Sequence, residues 1–138
     1  MTENEEDHLT GDEEDPAKVL FDRARDAMSD GDTTEAIRLY KQSNRCSPHY
    51  KTLLLLGKCY ITLHRFKDAV VPLAASTTLN RQGIAPALLA EVFLELGKFD
   101  KAKEFVDLAI ARQPHLKRAY ALREKINELI AANEQDVV

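Results

Sequence analysis

Residues 53–76, LLLLGKCYITLHRFKDAVVPLAAS, contain two apolar stretches separated by the polar pair His64-Arg65. In the first stretch, Leu53, Leu56 and Tyr60 recur at intervals of three and four residues, which is the spacing of one face of an α-helix. The second stretch shows the same spacing after the polar pair. The segment therefore predicts a helical hairpin, in which two helices are joined by a short turn.

This hairpin pattern recurs with a period of 33 residues, three times between Ala17 and about His115. Small residues share three slots of the repeat. They are Ala36, Ala69 and Ala102; Ala24, Gly57 and Ala90; and Ser43, Ser76 and Ala109. Small side chains at fixed slots mark close approach of helix backbones, so we expect three hairpins in one stack.

Glycine and proline residues mark the predicted turns and boundaries. Gly31 and Gly97 lie in the middle of their repeats, where a helix has to end. Asp15-Pro16, Ser47-Pro48 and Gln113-Pro114 place a polar residue before a proline, which suits the start of a helix. The repeats are predicted at about 17–49, 50–82 and 83–115, followed by a capping helix at about 116–133.

Residues 1–15 carry eight acidic residues and no Lys or Arg, and the rest of the chain carries 19 basic against 15 acidic residues. Such a charge block buries too little surface to offset its ordering entropy. We therefore expect a disordered acidic tail at 1–14, a repeat domain at 15–133 and a flexible C-terminus at 134–138.

The apolar stretches of the chain are short. The longest, 53–56 and 69–75, fall far below the roughly 20 residues that a membrane span requires. The chain opens with acidic residues where a secretory signal would need basic ones and an apolar run. These features favour a cytoplasmic protein without membrane insertion.

The repeat resembles the tetratricopeptide-repeat (TPR) family over about 100 of the 138 residues. The residues that carry the resemblance are the slot of Ala24, Gly57 and Ala90, the alanine slot of Ala36, Ala69 and Ala102, the turn glycines Gly31 and Gly97, and Pro48 and Pro114. The period is one residue shorter than the usual 34, Arg81 stands where a closing proline is expected, and Trp is absent. An ankyrin repeat also has 33 residues, but no Thr-Pro-Leu-His segment is present.

The resemblance implies an all-α fold, a right-handed superhelical stack of three helical hairpins with a C-terminal capping helix. In such a stack the first helix of each hairpin lines a concave groove. The groove residues predicted here are Lys18, Phe21, Arg25, Met28, Lys51, Leu54, Leu55, Lys58, Ile61, Leu88, Glu91 and Leu94. They are largely apolar, and their charges change from basic in the first two repeats to acidic in the third. Alternatively, several of these leucines pack against the neighbouring first helix.

The residue types of the chain predict neither a catalytic site nor a metal site. Cys46, His49, Cys59 and His64 have zinc-ligand spacing, but the two histidines would lie at opposite ends of one helix, about 20 Å apart. Zinc ligands must all lie within about 2.3 Å of one ion. No nucleophile elbow, phosphate loop or paired carboxylate is present, so no enzyme, metal site or cofactor is predicted.

The predicted partner is therefore another protein, bound through an apolar or amphipathic peptide segment by an adaptor or scaffold. Nucleic acid is disfavoured, because the acidic tail would repel phosphate and no Lys/Arg stripe is present. Co-chaperones of the TPR family hold a C-terminal carboxylate with basic and amide residues. The corresponding slots here hold Phe21, Arg25, Leu55, Ile84 and Leu88, of which only Arg25 is basic, so that clamp is absent.

Two alternatives use the same surface. One is a cytoplasmic chaperone for a secreted protein of the translocator type, by a resemblance to the small TPR chaperones of bacterial type III secretion. The other is a self-associating scaffold, a homo-oligomer held together by the groove or by the apolar run 69–75.

Overall fold

The computed structural model describes residues 14–136, which form seven α-helices and no strand. The helices are α1 (Pro16–Ser29), α2 (Thr33–Cys46), α3 (Tyr50–Thr62), α4 (Phe66–Leu79), α5 (Ile84–Glu95), α6 (Phe99–Arg112) and α7 (Lys117–Asp136). The predicted three hairpins and final helix are confirmed. The expected acidic tail, apart from Glu14, and the last two residues lie outside the described residues.

In each of the three hairpins, the first helix packs against the helix that follows it. Neighbouring hairpins meet where α2 packs on α3 and where α4 packs on α5, and α7 packs on α6. On the side of the first helices, α5 also touches both α3 and α7. The result is a linear stack in which each element contacts only its near neighbours. None of the helices described is long and apolar enough to span a bilayer.

The small-residue slots lie where the helices come together. All nine of these residues are buried: Ala24, Ala36, Ser43, Gly57, Ala69, Ser76, Ala90, Ala102 and Ala109. The assignment of these slots to close helix contacts is thereby confirmed.

Two buried serines close their hairpins with equivalent hydrogen bonds. Ser43 Oγ donates to the carbonyl of Ala17 at 2.7 Å, and Ser76 Oγ donates to the carbonyl of Tyr50 at 2.9 Å. Each bond joins the end of a hairpin's second helix to the start of its first. The third repeat has Ala109 in this slot, so its hairpin closes without such a bond.

The turns within the three hairpins use one backbone slot in the left-handed region. Gly31 and Gly97 have φ angles of 81° and 75°, and the equivalent residue of the second repeat is His64, with φ of 56°. Glycine adopts this region readily, whereas a side chain is strained there. The middle hairpin therefore turns at a less favourable residue than the other two.

The start of α1 follows the prediction and the start of α3 does not. Asp15 Oδ1 accepts a hydrogen bond from the Ala17 N–H at 3.1 Å, and Pro16 is the first helical residue. The expectation that Ser47-Pro48 would start α3 in the same way is wrong. The first of these residues ends α2, and α3 begins two residues after the proline, with His49 as its cap.

The last helix also differs from its expected bounds. Pro114 lies three residues before the start of α7 and does not occupy its first position. The helix ends at Asp136, beyond the expected end at about 133, so residues 134–136 are helical where a flexible chain was expected. Residues 131–136 contain neither Gly nor Pro and include good helix formers, which explains the extension.

Candidate functional site

The first helices of the three hairpins, together with α7, form what we call the first-helix face. Three cavities lie along it. Ten of the twelve predicted groove residues line one of them: Lys18, Phe21, Arg25, Met28, Lys51, Leu55, Lys58, Ile61, Glu91 and Leu94. The structure therefore brings most of the predicted set to one side of the stack.

The first cavity, of about 390 Å³, lies between the starts of α1 and α3 and the end of α2. Its apolar wall is Phe21, whose ring contacts Tyr40 edge to face at a centroid distance of 5.7 Å. The Arg25 guanidinium lies over the same Phe21 ring at 6.0 Å. Lys18 and Lys51 add two further cations to the lining. The cavity thus combines an aromatic wall with positive charge.

The second cavity, of about 230 Å³, adjoins the first because Arg25 lines both. Met28, Leu55 and Tyr40 form most of its lining, with Lys58 at its side. Tyr40 is buried, and burial raises the pKa of its hydroxyl to about 12, so it stays neutral. This cavity suits an apolar side chain that lies beside an acidic one.

The third cavity, of about 290 Å³, lies between α3, α5 and α7. Ile61, Leu94 and Leu122 give it apolar walls. Glu91 accepts a hydrogen bond from Arg118 of α7 at 2.8 Å, so its carboxylate is already paired. Glu95 and Lys125 also line this cavity, so its charges are mixed rather than basic.

The charge of the face changes along the stack. The first two cavities are lined by Lys18, Arg25, Lys51 and Lys58 against the carboxylates of Asp15 and Asp22. Lys18 Nζ lies 3.9 Å from an oxygen of Asp22, a pair that is exposed and contributes about 0–1 kcal/mol. Within residues 14–136, the other three cations have no carboxylate within 4.0 Å. This end of the face therefore keeps uncompensated positive charge.

Two predicted groove residues do not line a cavity. Leu88 is only 4% exposed and belongs to the core, so its assignment to the groove is wrong. Leu88 lies on α5, the helix that touches both α3 and α7. Leu54 is half-buried and packs against the core. Both leucines thus contribute to the packed interior, Leu88 within the core and Leu54 against it.

Several cavity residues escaped the sequence prediction, among them Tyr40, Leu122 and Lys125. Tyr40 belongs to a second helix, and Leu122 and Lys125 belong to α7. The prediction considered only the first helices of the repeats and treated α7 as a cap. Continuing the 33-residue register past residue 115 aligns α7 with α1, α3 and α5. This alignment could have predicted the cavity residues of α7.

The four residues with zinc-ligand spacing have separate structural positions. Cys46 is exposed at the end of α2, whereas Cys59 is buried with its Sγ 3.3 Å from Met28 Sδ. His49 Nδ1 accepts the Lys51 N–H at the start of α3, and His64 lies in a turn. Within the described part of the chain, no three His, Cys, Asp or Glu side chains form a group that could hold a metal ion.

Comparison with known sequences finds similarity to a tetratricopeptide repeat protein. No family model matches the chain. Tetratricopeptide repeat protein 21A of Mus musculus is 27% identical over 84 residues, which is 60% of this chain. The chain spans about 6% of the length of that protein.

Solved structures share the fold more completely. The first TPR of Spaghetti (RPAP3), bound to the HSP90 peptide SRMEEVD, has a TM-score of 0.80 at 21% identity and covers 84% of this chain and 94% of its own. The Yersinia enterocolitica type III secretion chaperone SycD, in complex with a peptide of the translocator YopD, has a TM-score of 0.78 at 17% identity and covers 83% and 95%. At these identities the likeness concerns the fold.

Proposed function

We propose that this tetratricopeptide-repeat chain is a protein-interaction module, which binds an apolar or amphipathic peptide segment of another protein on its first-helix face and acts as an adaptor or scaffold. The observation that carries the proposal is the row of three cavities between neighbouring first helices, each with apolar walls and charged rims. The proposed role is non-catalytic and cytoplasmic. Two structures of the same fold contain bound peptides, which supports a peptide as the ligand.

The linings specify the chemistry of the ligand. Apolar side chains of the peptide would enter the second and third cavities and contact Leu55, Ile61 and Leu94. Acidic residues of the peptide would lie beside Arg25 and Lys58, and basic ones near α5. Main-chain and apolar contacts provide affinity in such complexes, and the charges determine orientation.

Capture of a chaperone tail by its terminal carboxylate is not proposed. The slots that hold such a carboxylate in TPR co-chaperones are Phe21, Arg25, Leu55, Ile84 and Leu88 in this chain, and four of the five are apolar. One of them, Leu88, is buried. The HSP90 peptide is a ligand of the RPAP3 domain.

The proposal is tested with Leu55→Glu in the full chain, against a panel of fluorescein-labelled amphipathic 16-residue peptides with acidic, basic or neutral flanks. An unpaired carboxylate in a desolvated contact should weaken the best binder by about 2 kcal/mol, or roughly thirty-fold in Kd. The matched control is Leu79→Glu, because Leu79 is 57% exposed on α4 and lines none of these cavities. Fluorescence anisotropy gives the affinities.

Circular dichroism melting of each variant separates binding from folding. Leu55→Glu should retain its helix content, whereas Leu88→Glu should unfold the chain, since it buries a charge in the core. If Leu55→Glu is folded and binds normally, or if no peptide of the panel binds the unaltered chain, the proposal is wrong.

A chaperone for a translocator-type client is the second candidate, and the likeness to SycD favours it. Such a chaperone would use the same cavities but hold its segment within a protein that is not yet folded. A purified client with exposed amphipathic segments should remain soluble in the presence of the chain and precipitate with Leu55→Glu. Equal protection by both would contradict this candidate.

The run 69–75 exposes little apolar surface through which the chain could self-associate. Val71 is 75% exposed, but Ala69, Pro72 and Leu73 are buried and the others are half-buried. The other surface proposed for a homo-oligomer is the first-helix face. Light scattering on a sizing column would then show a mass that Leu55→Glu reduces to 15.6 kDa, the mass of one chain. A single-chain mass before the substitution would exclude the scaffold.

A further inference from the structure

We propose that residues 1–13 of this chain occupy the basic half of the first-helix face, the first and second cavities, as an intramolecular ligand that competes with external peptides. The competition rests on the proposed function, but the docking does not. The occupant is this acidic segment, which lies outside the described residues.

The point of attachment places the segment at the site. Asp15 caps α1 and lines the first cavity, so the chain before it emerges at the rim of that cavity. Residues close in sequence to their binding site have a high effective concentration there.

The charges of the segment and the site are complementary. Residues 1–13 contain six acidic residues and no Lys or Arg. The site carries Lys18, Arg25, Lys51 and Lys58, against which only Asp15 and Asp22 line the same two cavities. Among the described residues, three of these cations lack an ion-pair partner. Docking the segment would supply the missing carboxylates.

The segment also carries one apolar side chain in reach of the second cavity. Leu9 lies six residues before Asp15, and six extended residues span about 20 Å. Along α1, Met28 lies thirteen residues after Asp15, which at 1.5 Å per residue is also about 20 Å. Leu9 can therefore reach the cavity of Met28, Leu55 and Tyr40 while residues 10–14 pass the cations of the first cavity.

The predicted consequence is a modest competition that depends on salt. If the segment occupies the site for about four-fifths of the time, it raises the Kd of an external peptide about five-fold. Exposed charge pairs are screened as the Debye length falls from about 10 Å at 0.1 M salt to about 3 Å at 1 M. The five-fold effect should therefore disappear at high salt.

Docking is tested in the full chain with a nitroxide attached at Thr10→Cys, in a Cys46→Ser background. Cys59 is buried and does not compete for the label. In two-dimensional amide spectra, the label should broaden signals of residues 51–58 in α3, which are distant in sequence, at about 0.05 M salt and release them at about 1 M. Broadening confined to residues 14–22, or none in α3, would overturn the proposal.

Two sets of variants assign the cause. Replacing the six acids by amides should abolish the broadening in α3 and lower the Kd of an external peptide about five-fold. Combining Lys51→Glu with Lys58→Glu should also abolish the broadening in α3. The matched control combines Lys67→Glu with Lys103→Glu, which are exposed on second helices and should leave the broadening unchanged. Persistence of the broadening in both charge variants would overturn the proposal.

A mixing experiment distinguishes a second copy of the chain. Nitroxide-labelled chains without isotope are added to ¹⁵N-labelled chains without nitroxide, at the same total concentration. Intramolecular docking predicts no broadening in the mixture, whereas broadening there would assign the site to another copy and contradict the proposal. None of these spectra requires an external peptide. The docking of residues 1–13 and the binding of external peptides are therefore tested separately, and either can fail while the other stands.

Discussion

A Cβ atom on Gly57 of α3 would lie 2.5 Å from Cγ of Leu73 in α4. Both residues are buried, and the two helices of the middle hairpin are in close contact at this point. The equivalent slots in the other hairpins hold Ala24 and Ala90. The large side chain of Leu73 is therefore accommodated by the absence of a methyl group opposite it.

Gly57→Ala should destabilise the chain by about 1–3 kcal/mol through overpacking, although alanine gains about 1 kcal/mol in helix propensity. Urea denaturation followed by circular dichroism measures the change. In a Leu73→Ala background the same substitution should cost much less, because the space opposite is then free. A chain stabilised by Gly57→Ala would contradict the close contact.

Ala69→Arg should destabilise the chain by about 3–5 kcal/mol, because Ala69 is fully buried between helices and the guanidinium would be buried without a partner. Ala75→Arg on the same helix is the control. Ala75 is half-buried, and its substitution should cost at most about 1 kcal/mol. Thermal melts of both variants test the register of α4, and equal shifts would refute it.

His64→Gly should stabilise the chain by about 0.5–1 kcal/mol, the strain of a left-handed residue less the added entropy of glycine in the unfolded state. The reciprocal control is Gly97→Ala, which meets no neighbouring atom but should destabilise the chain through its φ of 75°. Denaturant midpoints give both changes. A destabilised His64→Gly would show that the edge contact of the imidazole with Phe66 contributes more than the strain.

The two thiols should differ in reactivity and in their effect on stability. Cys46 is exposed and should react with a thiol reagent at once, whereas Cys59 is buried and burial raises the pKa of its thiol to about 11. An unfolded cysteine loses its proton near pH 9, so between about pH 9 and 11 the folded state binds the extra proton. Stability should therefore fall as pH rises through this window, by at most about 1.4 kcal/mol per pH unit.

Urea titrations at pH 8 and pH 10 check this sign. Cys59→Ala should reduce the loss of stability between the two pH values, and Cys46→Ala should leave it unchanged. Buried Tyr40 contributes in the same direction, because burial raises its pKa to about 12. An equal loss of stability in the unaltered chain, Cys59→Ala and Cys46→Ala would show that Cys59 does not cause the pH dependence.

The hairpins could be predicted from the sequence because a 33-residue register repeats the contact between helices of a pair. A slot such as that of Ala36, Ala69 and Ala102 faces the same kind of neighbour in every repeat, and all three are fully buried. Helix starts depend on local hydrogen bonds that the repeat does not specify. His49 caps α3 with a ring nitrogen, and no pattern distinguished it from Ser47.

The site could be predicted less well, because the surroundings of a first helix change along the stack. Asp22, Leu55 and Leu88 share one slot, yet the first is exposed, the second is half-buried and the third is buried. Periodicity defines which face of a helix a residue occupies. How closely the next helix approaches that face depends on the packing of the whole stack, which the period does not encode.

One difference between the first helices determines how the face can respond to a ligand. α5 touches α3 and α7 directly, whereas α1 has little direct contact with α3 and its hairpin joins the stack chiefly through α2. We therefore expect the first two cavities to adjust to ligand side chains of different sizes more readily than the third cavity, which lies between elements in direct contact.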